Sequence, residues 1–181
     1  MQQQFRQLRR DYPDHWNRPV PPVGPENAPL LIVGLAPGMH GANRTGVPFR
    51  GDVAGELLYS TLEQLGIRNQ VRITNAVKCL PIANLPNAAE IDQCRRFLVE
   101  ELNSPRVLLA LGGVAHRAIL KALGLPLASW KFSHGARHEL DQQWLVDSYH
   151  CSRYNTQTGR LTEAMFHSVV ELSAREAGLI P

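Results

Sequence analysis

Apolar residues along the chain fall into two alternating patterns. Leu30-Leu31-Ile32-Val33-Gly34 is a continuous apolar run of the kind that forms a strand buried on both faces, and a glycine- and proline-rich stretch follows it. Leu57, Leu58, Leu62 and Leu65 then keep one face of a helix that Gly66 ends. Val71 to Val77 reads as a second strand. Asn87, with Glu90 three residues on, has the form of a capping box, and Ile91, Cys94, Leu98 and Leu102 share the face of the helix behind it. Val107 to Leu111 is the clearest strand; Gly112-Gly113 breaks it, and Val114, Ala118, Ile119 and Ala122 continue as a helix stopped by Gly124. A less regular stretch with Trp130, Phe132 and His134-Gly135 precedes a last strand at Trp144 to Ser148. A helix capped by Thr162 and carrying Met165, Val169 and Leu172 closes the chain. The alternation predicts an α/β fold, a three-layer α-β-α arrangement around a mostly parallel central sheet of about four strands.

Residues 1 to 28 break this rhythm. They are polar and proline-dotted, with Tyr12 and Trp16, and predict a short basic helix followed by an extended arm through Arg18-Pro19-Val20-Pro21-Pro22. With 181 residues, 44% of them hydrophobic, the chain has enough apolar material for one core, so a single domain over 1–181 is expected and disorder is excluded. No apolar run approaches the roughly 20 residues that span a bilayer, and the N-terminus has no apolar signal core. A soluble, cytoplasmic monomer is expected. Three cysteines, Cys79, Cys94 and Cys151, are too few for a disulfide framework or a four-thiolate site. The net charge of +3 is modest, so the placement of the cations matters more than their sum.

In a parallel sheet, ligands bind beyond the carboxyl ends of the strands, and here those segments are rich in chemistry. The first strand runs into Gly34-Leu35-Ala36-Pro37-Gly38, then Phe49, Arg50 and Asp52. The second carries Asn75 and leads to Lys78; the fourth leads to Tyr149-His150-Cys151-Ser152-Arg153-Tyr154. Asn is depleted in strands, and Asn75, expected to be buried in a central one, is either an amide satisfied by neighbouring backbone or a reader of a nucleobase edge. Phe49 is either core filler or the ring on which a planar base stacks. Asp52 is either a helix cap or a carboxylate that orients water. His150 is a surface histidine or an acid, base or electrostatic group. Arg44, Arg50, Lys78, Arg153 and Arg160 gather around one acid, Asp52, an excess suited to phosphates.

Two long motifs carry a resemblance: Gly34 to Gly38 continuing from His40 to Asp52, and His150-Cys151-Ser152-Arg153-Tyr154-Asn155-Thr156-Gln157-Thr158-Gly159-Arg160-Leu161-Thr162. They resemble the uracil-DNA glycosylase superfamily, most closely its family 5, with similarity from about Trp16 to about Met165; Ile73 to Cys79 looks more like family 4. The resemblance implies a monofunctional glycosylase that hydrolyses the N-glycosidic bond of uracil, or of another deaminated base, in DNA and so opens base excision repair. It implies that Phe49 stacks on the extruded uracil, Asp52 handles water, Asn75 reads the base edge and His150 stands beside the uracil carbonyl. Ala36, Pro37 and Gly38 would line the base site, with Ala36 where other branches place a polar catalytic residue. Asn84 would supply a second polar contact. Ser152, Arg153 and Tyr154 fall in the loop that inserts into DNA, with Arg44, Arg50, Lys78 and Arg160 on phosphates.

Families 4 and 5 typically hold a four-iron, four-sulfur cluster on four cysteines. Cys79 and Cys94 resemble the second pair, but no cysteine precedes Cys79, so no such cluster is expected, Cys94 becomes a buried helix-face residue, and no step requires a metal. Two other classes stand beside this reading. A hydrolase would use Ser148 or Ser152 with His150 and Asp52, but the chain has no Gly-x-Ser-x-Gly elbow. The other is a catalytically weak or inactive DNA-binding protein of the same fold.

Overall fold

The structure, a computed structural model, describes residues 2–81 and 85–181. The four expected strands form as β1 (Leu30–Gly34), β2 (Val71–Asn75), β3 (Val107–Leu111) and β5 (Trp144–Ser148). They are parallel, in the order β2-β1-β3-β5. A fifth strand, β4 (Arg137–Glu139), adds antiparallel to β5 and closes that edge. It went unread because its three residues, Arg-His-Glu, bury no apolar side chain.

Both faces of the sheet are covered, which is why β1 and β3 are buried at every position. On one side Leu30, Ile32 and Leu109 pack with α3 (Val53–Gln64) and α7 (Glu163–Glu176), through Leu58, Leu62, Phe166 and Val170. On the other, Leu31, Val33 and Leu108 meet α4 (Ala88–Leu102) and α5 (Gly113–Ala122), through Leu98, Leu102 and Ile119. Each such side chain contributes roughly 1.5–3 kcal/mol by leaving water. The capping box forms as read: Glu90 N–H donates to Asn87 Oδ1 and Asn87 N–H to Glu90 Oε2, both at 2.9 Å. Thr162 Oγ1 accepts from Met165 N–H at 3.1 Å and starts α7.

Three local readings are corrected. β2 is the last strand of the sheet rather than a central one, and the N-terminal arm covers its outer edge where Val23 and Ile73 exchange backbone hydrogen bonds. The stretch after His150 includes a helix, α6 (Arg153–Gln157), with Ser152 as its cap, and it was invisible because it buries nothing. A shorter turn, α2 (Ala42–Thr45), sits inside the first loop. The remaining helix is α1 (Gln2–Asp11). Among the described residues no helix is long and apolar enough to cross a membrane.

Beyond its strand-like contact, the arm fixes the long loop after β1. Trp16 N–H donates to Arg44 O, Asn17 N–H to Asn43 O, and Asn43 Nδ2 to Asn17 Oδ1 at 2.9 Å. Asn17 and Asn43 are wholly buried, so this polar pairing holds the segment that leads to Phe49 and Asp52.

Candidate active site

At the carboxyl edge of the sheet lies a cavity of about 770 Å³, within the range of small-molecule pockets. Its walls come from the ends of all four parallel strands, and Phe49, Asp52, Asn75 and His150 line it together.

Phe49 and Asn75 converge on Gly34. A Cβ at Gly34 would lie 2.4 Å from both Asn75 Oδ1 and Phe49 Cζ, so only glycine lets the ring and the amide meet over the end of β1. Phe49 holds a left-handed backbone, φ 57°, where a bulky residue is strained. Its carbonyl needs the bare Cα of Gly55, since a Cβ there would lie 1.5 Å from Phe49 O. The ring is 6% exposed, belongs to the core cluster and lines the cavity, so both readings of Phe49 describe it. It stacks on the His150 imidazole at a centroid distance of 6.0 Å.

Asn75 is buried, yet among the described residues its side-chain amide makes no hydrogen bond; its backbone carbonyl accepts from Lys78 Nζ at 2.8 Å. A buried polar group left open toward a cavity requires a partner from solvent or ligand.

Asp52 does two things with two oxygens. Oδ1 accepts from Gly55 N–H at 2.9 Å and caps α3. Oδ2 looks across Gly38 and Gly41, where a Cβ on Gly41 would come within 2.3 Å of it. The cap and the open carboxylate oxygen coexist. Burial pushes the His150 imidazole below its ordinary value, with the Asp52 charge pulling the other way. The ring is therefore neutral at pH 7. Asn155 Nδ2 donates to His150 O at 2.8 Å and pins this turn.

Ala36, Pro37 and Gly38 form part of the wall, and Ser152, Arg153, Tyr154 and Arg160 border the same cavity, Tyr154 being 71% exposed. Arg44 and Arg50 are exposed but stand outside it; Arg50 borders a separate groove behind Phe49. Asn84 lies outside the described residues. Lys78 is a correction. Its ammonium is 2.7 Å from Glu101 Oε2, donates to Thr74 Oγ1 and Asn75 O, and is buried. It props the end of β2 from inside and has no free face for a phosphate; its partner lies 23 residues away on α4, beyond any local reading.

Other site features had no assigned role in sequence. Phe132 and Tyr149 line the cavity, with Gly112 and Gly113 between them and β3. Their aromatic character beside His134-Gly135 was the available signal. Behind them His116, His138 and Asp147 cluster, residues too far apart in the chain to be grouped by spacing.

The serine hydrolase finds no support. Ser148 is buried and donates to Tyr149 O at 2.9 Å, Ser152 caps α6, and neither hydrogen-bonds to His150 among the described residues. The three cysteines do not share one site. Cys151 is fully buried in the core on the Leu30 side of the sheet, whereas Cys94 belongs to α4 on the opposite side, where its Sγ accepts from Lys78 N–H. Two thiols remain, and among the described residues no third ligating side chain joins them.

Fold and site together define an α/β enzyme whose polar groups gather beyond the carboxyl ends of a parallel sheet. The family model for the Uracil DNA glycosylase superfamily matches residues 21–172, and the chain belongs to that superfamily. It is 42% identical to the Type-5 uracil-DNA glycosylase of Thermus thermophilus, over 91% of this chain and 83% of that protein. It is 41% identical to the Type-5 uracil-DNA glycosylase of Pyrobaculum aerophilum, over 92% and 80%. To the Type-4 uracil-DNA glycosylase of Archaeoglobus fulgidus it is 32% identical, over 87% and 83%.

Proposed function

We propose that this chain is a monofunctional DNA glycosylase that hydrolyses the bond between deoxyribose and uracil in DNA. The observation that carries this reading is the Asn75 amide, buried and without a partner among the described residues, beside the Phe49 ring in the cavity wall. A uracil extruded from the helix offers what that amide lacks. Its N3–H can be accepted by Asn75 Oδ1 and its O4 can accept from Nδ2, while Phe49 takes its flat face.

As the glycosidic bond breaks, the sugar becomes oxocarbenium-like and negative charge gathers on the leaving base. A neutral His150 donates its one ring N–H to the carbonyl where that charge appears and stabilises it without transferring the proton. Asp52 keeps Oδ1 on Gly55 N–H, which fixes the carboxylate, and uses Oδ2 to orient and deprotonate the attacking water. On this reading Leu85, Arg153 and Tyr154, exposed or on the rim, meet the DNA strand, and Arg44, Arg50 and Arg160 contact phosphates.

The same reading has the protein acting as a cytoplasmic monomer without an iron–sulfur cluster. For the cluster, Cys79 and Cys94 supply two thiols of a four-thiolate set, and among the described residues no third ligating side chain joins them. Iron analysis of the purified protein checks the second point; about four irons per chain would contradict it.

Single-turnover assays on oligonucleotides carrying uracil, hypoxanthine or xanthine, single- and double-stranded, test the function. Release of free uracil, leaving an abasic site, is expected. Binding without release would favour the inactive DNA-binding protein.

A further inference from the structure

The cavity is longer than one base. Asn75 ends β2, whereas Phe132 lies over Gly113 just past β3, where a Cβ would come 3.5 Å from its ring. With β1 between them, these walls stand two strand spacings apart, about 9–10 Å. A single pyrimidine held by Phe49 and Asn75 leaves the Phe132 end empty.

That end is built as an aromatic platform with a cation beside it. Phe132 is half-buried, meets Tyr149 at 6.2 Å and presents a ring surface to the cavity. Tyr149 is itself engaged, stacked with His134 at 4.9 Å and covered by the Arg160 guanidinium at 4.6 Å, so it backs the platform and holds Arg160 at its rim.

The platform is held rigid from behind. Asp147 is wholly buried, and both its oxygens are used: Oδ1 accepts from His116 Nδ1 at 2.8 Å and Oδ2 from His138 Nε2 at 3.0 Å. His116 Nε2 donates to Trp130 O at 3.1 Å, and the His116 ring meets the Phe132 ring edge-on at 5.7 Å. The three side chains thus tie α5, the 130–138 segment and β5 together around Phe132. The His116–Asp147 separation of 2.8 Å is that of a hydrogen bond, whereas two ligands of one tetrahedral zinc stand about 3.3 Å apart.

We propose that Phe132 is the stacking platform of a second nucleotide subsite, which takes the nucleotide flanking the extruded one, with Arg160 meeting its phosphate. Aromatic rings bind successive bases of a single strand in this way, and a rigid ring keeps the ordering cost low. The inference rests on the DNA glycosylase reading above.

The test pairs a change in the protein with a change in the DNA. Uracil release is measured under single-turnover, subsaturating conditions from single-stranded oligonucleotides in which the base 5′ or 3′ of the uracil is replaced by a tetrahydrofuran spacer. Wild type is expected to lose about tenfold in rate on one of the two spacer substrates. Phe132→Ala loses about as much on the fully based strand. Combined with that spacer it loses no more than either alone, and Phe132→Leu, which keeps the bulk, behaves like Phe132→Ala. Losses that add for both flanks, or a wild type indifferent to both spacers, would overturn the subsite while leaving the glycosylase reading intact. A wild type that releases no base from any uracil substrate would overturn both.

Discussion

Two buried polar side chains stand at the edge of the same sheet and are treated in opposite ways. Asp147, in β5, has both oxygens satisfied by His116 and His138 and has no polar atom to spare. Asn75, at the end of β2, has no side-chain partner among the described residues and opens into the cavity. Burial alone does not separate structure from function, since both are nearly inaccessible. What separates them is where the hydrogen bonds go. A saturated group holds the fold, and an open one awaits a ligand.

The largest effect that sharpens this contrast concerns the open side. Asp52→Asn keeps the shape and the capping oxygen but removes the charge, so base release should fall on the order of 10²-fold or more with DNA binding little changed. Full activity would leave Asp52 with its cap alone. On the saturated side, Asp147→Ala leaves His116 Nδ1 and His138 Nε2 without their acceptor and should cost about 1–3 kcal/mol for each donor in urea unfolding. Asn75→Ala should move stability by no more than about 1 kcal/mol, because no hydrogen bond is broken.

pH separates the same two regions with opposite signs. Burial pulls His116 down, but the Asp147 hydrogen bond and charge, helped by the Trp130 carbonyl, leave it above its ordinary 6.5. Its contribution is therefore complete below about pH 6.5 and is lost as pH rises through the higher folded value. His150 sits below 6.5, so it erodes stability as pH falls through 6.5 and does so fully below its folded value. Unfolding free energies across pH should lose the alkaline-side slope in His116→Gln and the acid-side slope in His150→Gln. The smallest effect is in DNA affinity. If the four arginines Arg44, Arg50, Arg153 and Arg160 reach phosphates, log affinity should fall with log salt at a slope of about −3 to −4 on duplex DNA. Arg153→Ala should reduce that slope by about 1, and Lys78→Met should leave it unchanged while lowering stability.

The four parallel strands and the helices that bury a face were legible because burial writes apolar periodicity into the chain. β4 and α6 bury little and left no such mark. Strand order is a long-range property, so Asn75 was read as central although β2 ends the sheet. The loop motifs brought Phe49, Asp52 and His150 to one place because they follow strands that run the same way. Lys78 was misread because Glu101, which neutralises it, lies on a different element. The His116–Asp147–His138 cluster was missed for the same reason, its two hydrogen bonds spanning 31 and 9 residues of chain.

The central claim is that the open amide of Asn75 reads the base, and Asn75→Asp tests it most directly. The substitution keeps size but replaces the amide donors with a carboxylate that repels the carbonyl edge of uracil. Single-turnover release should fall on uracil, hypoxanthine and xanthine alike, because each presents an N–H beside a carbonyl, while cytosine, whose amino group donates where they have that carbonyl, should gain relative to uracil. No loss on uracil, or a loss with no relative gain for cytosine, would make Asn75 a structural amide and contradict the account.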